Sequence, residues 1–244
     1  MSAGRLVFDA VGERFFESGT DRGVLYQIND SGKYTDGEAW NGLTAVNSTP
    51  GGAEANDLWA DNMKYATLRS AETYGGTIEC YTYPDSFKLN NGEANLAPGI
   101  VASGQKRKAF GLTYRTKIGN DIDGLDHGYK LHLVYNATVS PADKAYQTIN
   151  ESPDAITMSY EFTTTPITPE KELGLAYPTA HIEIDSTKFA GDNGAGDDFL
   201  AALEDILYGK DADPEDPSSE ATVASLPSPK ELVDLYNVYF PSNP

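Results

Sequence analysis

The chain has 244 residues, 39% of them hydrophobic, and 18 Lys and Arg stand against 37 Asp and Glu, which gives a formal charge of −19. This globular composition with a phosphate-repelling surface excludes a conventional nucleic-acid-binding protein. Cys80 is the only cysteine and no long apolar run occurs, so we expect no disulfide within the chain, no transmembrane helix, no signal peptide and folding in the cytoplasm.

Alternation of apolar and polar residues predicts strands along most of the chain. The clearest case has Leu131, Leu133 and Tyr135 on one face. In chain order, the predicted strands occupy residues 42–46, 64–69, 76–83, 109–116, 129–137, 155–165 and 180–186. Clusters of Gly, Pro, Asn and Asp separate them. The pattern therefore predicts a mainly β fold in which two antiparallel sheets pack as a sandwich or barrel.

Few helices are predicted beside these strands. Asp197 and Asp198 can cap one that ends at Gly209, and a short helical turn follows Pro84. Residues 210–229 are acidic, contain proline and lack periodicity, as is typical of a linker. We therefore predict a β domain over 1–209, a linker over 210–229 and an amphipathic helical arm over 230–244. The arm docks either on another molecule or on its own domain.

The residue types that carry chemistry form no recognisable catalytic or metal site. His127, His132 and His181 lack metal-ligand spacing, and Cys80 has no companion histidine motif, which favours a buried, inert thiol. Residues 120–126, and more weakly 211–215, have oxygen ligands at alternate positions but miss the calcium-loop pattern. We expect no catalytic, cofactor-binding or metal-binding residues and no cofactor.

Several segments together resemble the major tail proteins of long-tailed bacteriophages, the siphophages of Gram-positive hosts. The resemblance begins with GERFFESGTDRGVLY at residues 12–26 and ends with LEDILYG at residues 203–209. Between these, the similar segments are residues 39–44, 60–65, 79–85 (ECYTYPD), 110–116 (FGLTYRT), 128–135 (GYKLHLVY), 162–166, 178–180 and 184–188. The likeness covers nearly the whole chain from about residue 9 to 209, in order.

The resemblance implies a phage tail tube fold, with two β-sheets, a flanking helix and a structural role in the virion tail. Six copies would form a ring, and rings would stack into a tube around the tape measure protein. Tail terminator and distal tail proteins would close the ends, and DNA would pass through the lumen without specific binding. Assembly would take place in the host cytoplasm, with no membrane partner and no enzymatic activity.

Two segments are candidates for contacts between subunits. The stretch from Asn47 to Asp57 is too long for a tight hairpin turn and is predicted to be a loop that reaches the next ring. The stretch from Val11 to Tyr26 mixes charged and aromatic side chains, as subunit contacts do. Either could instead be an ordinary surface loop or a strand of its own domain.

Two other functions stay open on the sequence alone. A β-sandwich that binds carbohydrate could stack sugars on Trp40 and Trp59, although both rings could equally lie in the core. A hydrolase with paired carboxylates is the second alternative, because acidic residues occur throughout the chain and their spacing in the fold is not visible in the sequence.

Overall fold

The computed structural model describes residues 6–52, 54–70, 72–146, 148–149, 154–167, 173–175, 177–189, 194–212 and 220–241. The strands are β1 (Phe16–Ile28), β2 (Tyr34–Ala39), β3 (Leu43–Ser48), β4 (Gly51–Gly52), β5 (Ala55–Ala60), β6 (Met63–Arg69), β7 (Glu72–Thr73), β8 (Gly75–Cys80), β9 (Ala94–Ala97), β10 (Ile100–Ala102), β11 (Phe110–Asn120), β12 (Gly124–Val139), β13 (Met158–Thr164) and β14 (His181–Asp185). The α-helices are α1 (Phe87–Asn90), α2 (Ala195–Tyr208) and α3 (Pro229–Tyr239). In the part of the chain described, no helix has the length and hydropathy needed to cross a membrane.

The large strands form one antiparallel sheet of eight strands. Its order is β2-β1-β11-β12-β13-β8-β3, and β14 pairs with another part of β12. The sheet curls enough for β3 to lie against β1, so that a Cβ added at Gly23 of β1 would come within 2.7 Å of the Leu43 Cδ2 of β3, but the barrel does not close. The mainly β class and the antiparallel pairing are confirmed, and the seven predicted strands coincide with β3, β6, β8, β11, β12, β13 and β14.

The two faces of this sheet bury two separate clusters. The inner cluster lies inside the curl, where Phe87 of α1 touches the rings of Trp40, Tyr83, Phe110 and Tyr160. The outer cluster lies between β1, β12 and β14 on one side and α2 and α3 on the other. Strand residues therefore alternate between two apolar environments rather than between core and water, which explains why β11 reads as a nearly continuous buried run.

Helix α2 starts earlier than the sequence predicts. Gly194 is its N-cap, with φ of 88°, so Asp197 and Asp198 lie in the first turn rather than at the cap. Their negative charges still face the positive end of the helix dipole. The helix packs Leu203 and Leu207 into the outer cluster. The helix predicted after Pro84 is confirmed as α1.

The segment that leads to α3 contributes to the same core as the β domain. Ala224 and Leu226 are buried, and Leu226 pairs with Tyr34 of β2. Ser228 and Glu231 form a capping box at the start of α3, and Leu232 is buried against the outer cluster. The predicted C-terminal helix, α3, thus docks on its own domain. Residues 213–219 of the predicted linker lie outside the described residues, and the division at 209 and 229 stays a prediction.

Strands β3 and β8 continue outward as one long hairpin. Beyond the eight-stranded sheet, β4 pairs with β7 and β5 pairs with β6. We call this projecting part, between Gly51 and Thr73, the arm. Tyr74 lies at its base, where the Tyr74 carbonyl accepts the backbone N–H and the hydroxyl of Thr164 from β13. The arm is therefore anchored to the centre of the sheet.

A stack of four rings also joins the arm base to the sheet. Tyr74 lies on His181 with 4.3 Å between ring centroids. His132 is 5.4 Å from His181 and 4.5 Å from Tyr114. The Nδ1 of His132 and the Nε2 of His181 are 3.2 Å apart, and the Tyr74 and Tyr114 hydroxyls are 3.0 Å apart. A hydrogen bond between two imidazoles requires an unprotonated acceptor, so the stack favours neutral histidines.

This stack makes the fold sensitive to acid. Burial lowers the pKa of His181 from 6.5 to about 4 and also lowers that of His132, on which Glu183 and Glu17 have the opposite effect. Between pH 6.5 and about 4 the unfolded chain then binds protons that the native state does not. The contribution of His181 is fully present above pH 6.5 and is lost as pH falls towards 4, by up to about 1.4 kcal/mol per pH unit, and the lowered pKa of His132 acts in the same direction.

We predict that His181→Phe, which retains a ring against Tyr74, flattens the fall of the unfolding free energy over this pH window. Urea titrations at several pH values measure the slope. The matched control is Val238→Phe, which adds a ring at an exposed position of α3 and removes no titratable group, so it should keep the wild-type slope. An unchanged slope in His181→Phe would show that the stack does not carry the acid sensitivity.

Phe87 fills the centre of the inner cluster. We expect Phe87→Ala to lower the unfolding free energy by about 3–5 kcal/mol, because a fully buried phenylalanine leaves a cavity among rigid rings. Phe8→Ala is the control, since this ring is 79% exposed and its loss should cost less than about 0.5 kcal/mol. Equal losses in the two variants would contradict the assignment of Phe87 to the core.

Candidate functional site

The segment between Asn47 and Asp57 is not a loop, contrary to the sequence prediction. It contains the end of β3, all of β4 and the start of β5, which form the outgoing side of the arm. The turn lies further along, at Asp61 and Asn62, with φ of 51° and 61°. Two consecutive residues with positive φ match the twist of paired strands. Gly51 and Gly52 misled the prediction because these typical turn residues here pair with β7.

One face of the arm is apolar. Cross-strand partners share a face of a hairpin, and Leu58 and Trp59 lie on opposite faces because successive residues of a strand alternate. The register shift between these two residues leaves Tyr65 of β6 as the extra, unpaired residue. The pairs on the apolar face are Asn56 with Leu68, Leu58 with Ala66 and Ala60 with Met63. Leu58 is 40%, Leu68 55% and Met63 63% exposed. Among the residues that the structure describes, none covers these side chains as a core would.

The opposite face is polar and held by hydrogen bonds. Asp57 accepts from the Nζ of Lys64 and from the hydroxyl of Thr67, both at 2.7 Å. The hydrogen bond from Lys64 lowers the pKa of the Asp57 carboxyl the most, and the bond from Thr67 lowers it further. Trp59 pairs with Lys64 on this face and is 69% exposed. The arm thus presents two chemically different faces.

Such an arm needs a partner. A two-stranded hairpin is at best marginally stable in water without a third strand or a packed face. Every residue of β5 is exposed, and so is every residue of β6 except Ala66, which is half-buried. Contiguous exposed apolar side chains on a projecting element mark an interaction surface. The arm is therefore the candidate functional site.

The N-terminal segment is a second exposed apolar element. Leu6, Val7, Phe8 and Val11 are all more than 70% exposed. The carboxylate of Asp121, in the β11–β12 turn, accepts the backbone N–H groups of residues 12 and 14, at 3.0 and 3.4 Å. This contact fixes where the segment leaves the domain.

Only the first part of the predicted contact segment from Val11 to Tyr26 is free for a partner. Its last residues, Val24, Leu25 and Tyr26, are buried in strand β1. The Tyr26 hydroxyl donates to the Leu207 carbonyl at 2.6 Å. These residues therefore serve the core of their own domain, and the exposed side chains precede them.

The remaining candidate residues have structural roles. Asn120 Oδ1 accepts the N–H groups of Ile122 and Asp123, so the suspected calcium loop is a hydrogen-bonded turn. Within the described ranges, no group of three or more His, Cys, Asp or Glu could hold a metal ion. The weaker candidate at 211–215 lies largely outside the described residues. Burial raises the pKa of the Cys80 thiol.

The two tryptophans do not form a sugar-binding platform. Trp40 is 3% exposed, packs on Phe87 and donates its Nε1–H to the Thr82 carbonyl at 3.1 Å. Trp59 is exposed on the arm. One ring therefore belongs to the inner cluster and the other to the projecting hairpin, which removes the paired stacking surface on which the carbohydrate-binding alternative depends.

Comparisons with solved structures give three distant likenesses. The six-fold symmetrised baseplate of the anti-feeding prophage matches at TM-score 0.33 and 9% identity, over 73% of this chain and 97% of the other. The sheath/tube terminator of an extracellular contractile injection system in the extended state matches at TM-score 0.34 and 10% identity, over 75% of this chain and 99% of the other. The sheath-tube complex of such a system, also in the extended state, matches at TM-score 0.29 and 11% identity, over 67% of this chain and 88% of the other. TM-scores this low carry no argument.

The sequence comparison is decisive. No curated protein matches the chain significantly. The family model described as phage tail tube protein matches residues 15–205, a span that starts just before β1, includes the whole arm and ends within α2. This chain belongs to the phage tail tube protein family, and it is a structural component of the virion tail rather than an enzyme.

Proposed function

We propose that copies of this chain close into hexameric rings, that the rings stack into a tube around the tape measure protein, and that DNA is delivered through the bore. The observation that carries the proposal is the apolar face of the arm, which nothing in the described part of the subunit covers. In a homopolymer the same face is covered on every subunit, so one element can stabilise the whole tube.

The arm has the reach that contact between subunits requires. At about 3.3 Å per residue, the run from Gly51 to Asp61 extends on the order of 30 Å, which is comparable to the diameter of a small domain. Its base is fixed by Tyr74, so the arm points in one direction relative to the sheet. We assign to it the stacking role first predicted for the segment between Asn47 and Asp57.

The charge of the chain supports passage of DNA. With a formal charge of −19 per copy, six copies carry on the order of a hundred negative charges, and those facing a bore keep DNA from adhering. The tail terminator and distal tail proteins would bind the two ends of the tube. On the resemblance described above, the proposal also places this tube in a siphophage that infects a Gram-positive host.

The role of the apolar face of the arm in tube formation can be tested by replacing its leucines with glutamate. Burying a leucine contributes about 1.5–3 kcal/mol, so the double variant Leu58→Glu and Leu68→Glu should raise the critical concentration for tube formation at least about a hundredfold. Sedimentation of polymer over a concentration series measures it. Subunit folding, followed by circular dichroism, should be unchanged because both side chains are exposed.

The matched control places two glutamates outside the arm, at Val223 and Val238, which are 68% and 72% exposed. It should polymerise like the wild type. Normal tubes from the Leu58 and Leu68 variant would remove the arm from the interface. Equal defects in both double variants would attribute the effect to added charge rather than to the arm.

The ring symmetry is a separate prediction. Electron microscopy of concentrated subunits should show hollow tubes of uniform diameter whose cross-sections average with six-fold symmetry. The physical reason is that an interface between unlike surfaces of identical subunits generates closed rings when its rotation closes. Solid filaments, flat sheets or rings of another copy number would contradict the hexameric proposal.

A further inference from the structure

A second, shorter hairpin follows α1 in the chain. Strands β9 and β10 pair with each other alone. A hydrogen bond closes the base of this hairpin, where the Gln105 N–H donates to the Gly92 carbonyl at 2.8 Å. Leu96, Ile100 and Val101 are 72%, 57% and 40% exposed. This element, between Gly92 and Gln105, is therefore a fixed projection with an apolar tip.

Three consecutive cations follow this hairpin. Lys106, Arg107 and Lys108 form the basic tract, and none of them has an ion pair with any described residue. The Nε of Arg107 is buried and lacks a hydrogen-bond partner in the described part of the subunit. Most described Lys and Arg side chains do form ion pairs. The exceptions elsewhere, Arg69, Lys117 and Lys188, are scattered along the chain.

The backbone holds the basic tract in place. The side-chain amide of Asn90, which is buried at the end of α1, donates to the Lys108 carbonyl at 3.1 Å. The side chain of Arg107 lies over Gly92, where an added Cβ would come within 3.2 Å of the Arg107 Cγ. The exposed charges of Lys106 and Lys108 are thus displayed on a pre-organised segment, so a partner would not have to order it.

From this placement we infer that the basic tract and the tip of the β9–β10 hairpin form a second subunit contact, seated on the acidic surface of a neighbouring copy. The inference rests on the proposed function and adds the chemistry of one contact. Opposite charges across an interface steer and orient partners. A copy of this chain, with its charge of −19, is the abundant acidic surface in a homopolymer. The apolar tip supplies the part of the contact that excludes water.

The test is charge reversal at two exposed positions. Lys106→Glu with Lys108→Glu should raise the critical concentration for tube formation at least about tenfold at about 0.15 M NaCl. The critical concentration of the variant divided by that of the wild type should fall towards one at about 1 M NaCl, because salt screens both the attraction that is lost and the repulsion that is added. Thermal unfolding of the subunit should match that of the wild type.

The matched control, Lys117→Glu with Lys188→Glu, changes the net charge by the same amount and should polymerise close to the wild type. An equal defect in both variants would show that total charge matters rather than the basic tract, and would overturn the inference. Normal polymerisation of the Lys106 and Lys108 variant would overturn it as well. Failure of the wild-type protein to form tubes would instead count against the proposed function.

A nucleic-acid role for the basic tract predicts a different result. Fluorescence anisotropy of a labelled duplex at about 0.05 M salt would then show binding by wild-type tubes that is lost when Lys106 and Lys108 are reversed, with polymerisation unaffected. We expect no such binding, because the surrounding charge repels phosphate.

Discussion

The structure depends on the incomplete burial of one hairpin. The arm carries an apolar row on one face and a hydrogen-bonded polar row on the other, and two strands alone cannot bury the apolar row. A sheet normally solves this problem by adding a third strand or a packed layer. No described residue of the subunit provides that layer for the arm, and in the proposed function a neighbouring copy provides it. This single constraint connects the sequence pattern to the tail tube family.

The rest of the domain makes the base of the arm a rigid element. The curled sheet encloses one core, while α2 and α3 cover the other face, so β3 and β8 leave the sheet from a well-packed base. The ring stack of Tyr74, His181, His132 and Tyr114 adds a lateral tie at the point where the arm departs. Burial on both sides of the sheet thus sets the direction of the arm, and rigidity of the arm base is what a repeating assembly requires.

Apolar residues at regular spacing predict the strands of the eight-stranded sheet, whereas the sequence gives little signal where a strand faces no core. The strands β11, β12 and β13 were visible because their apolar positions are spaced regularly, and α2 was visible from Phe199, Leu203 and Leu207. The residues of the outgoing side of the arm predict a loop instead of a strand, because Pro50, Gly51 and Gly52 are turn formers and β5 faces no core. The available signal was the strand-forming pair Leu58 and Trp59, which comes shortly before the Asp61–Asn62 turn and the strand predicted at residues 64–69.

Other features could not be derived from one sequence at all. His132 and His181 are 49 residues apart, and only the pairing of β12 with β14 brings their rings together. Likewise, the burial of Ala224 and Leu226 depends on tertiary contacts that a linker-like composition conceals. Local pattern fixes element type, whereas the functional surface is set by which apolar residues the rest of the fold leaves uncovered.

Amide hydrogen exchange of β5 and β6, compared between the free subunit and the assembled tube, tests this account most directly. In the free subunit these amides should exchange rapidly, because the hairpin has no core and opens locally at low cost. In the tube their exchange should slow by at least about a hundredfold, as burial against a neighbour would require. Equal exchange rates in the two states would contradict the claim that assembly completes the arm.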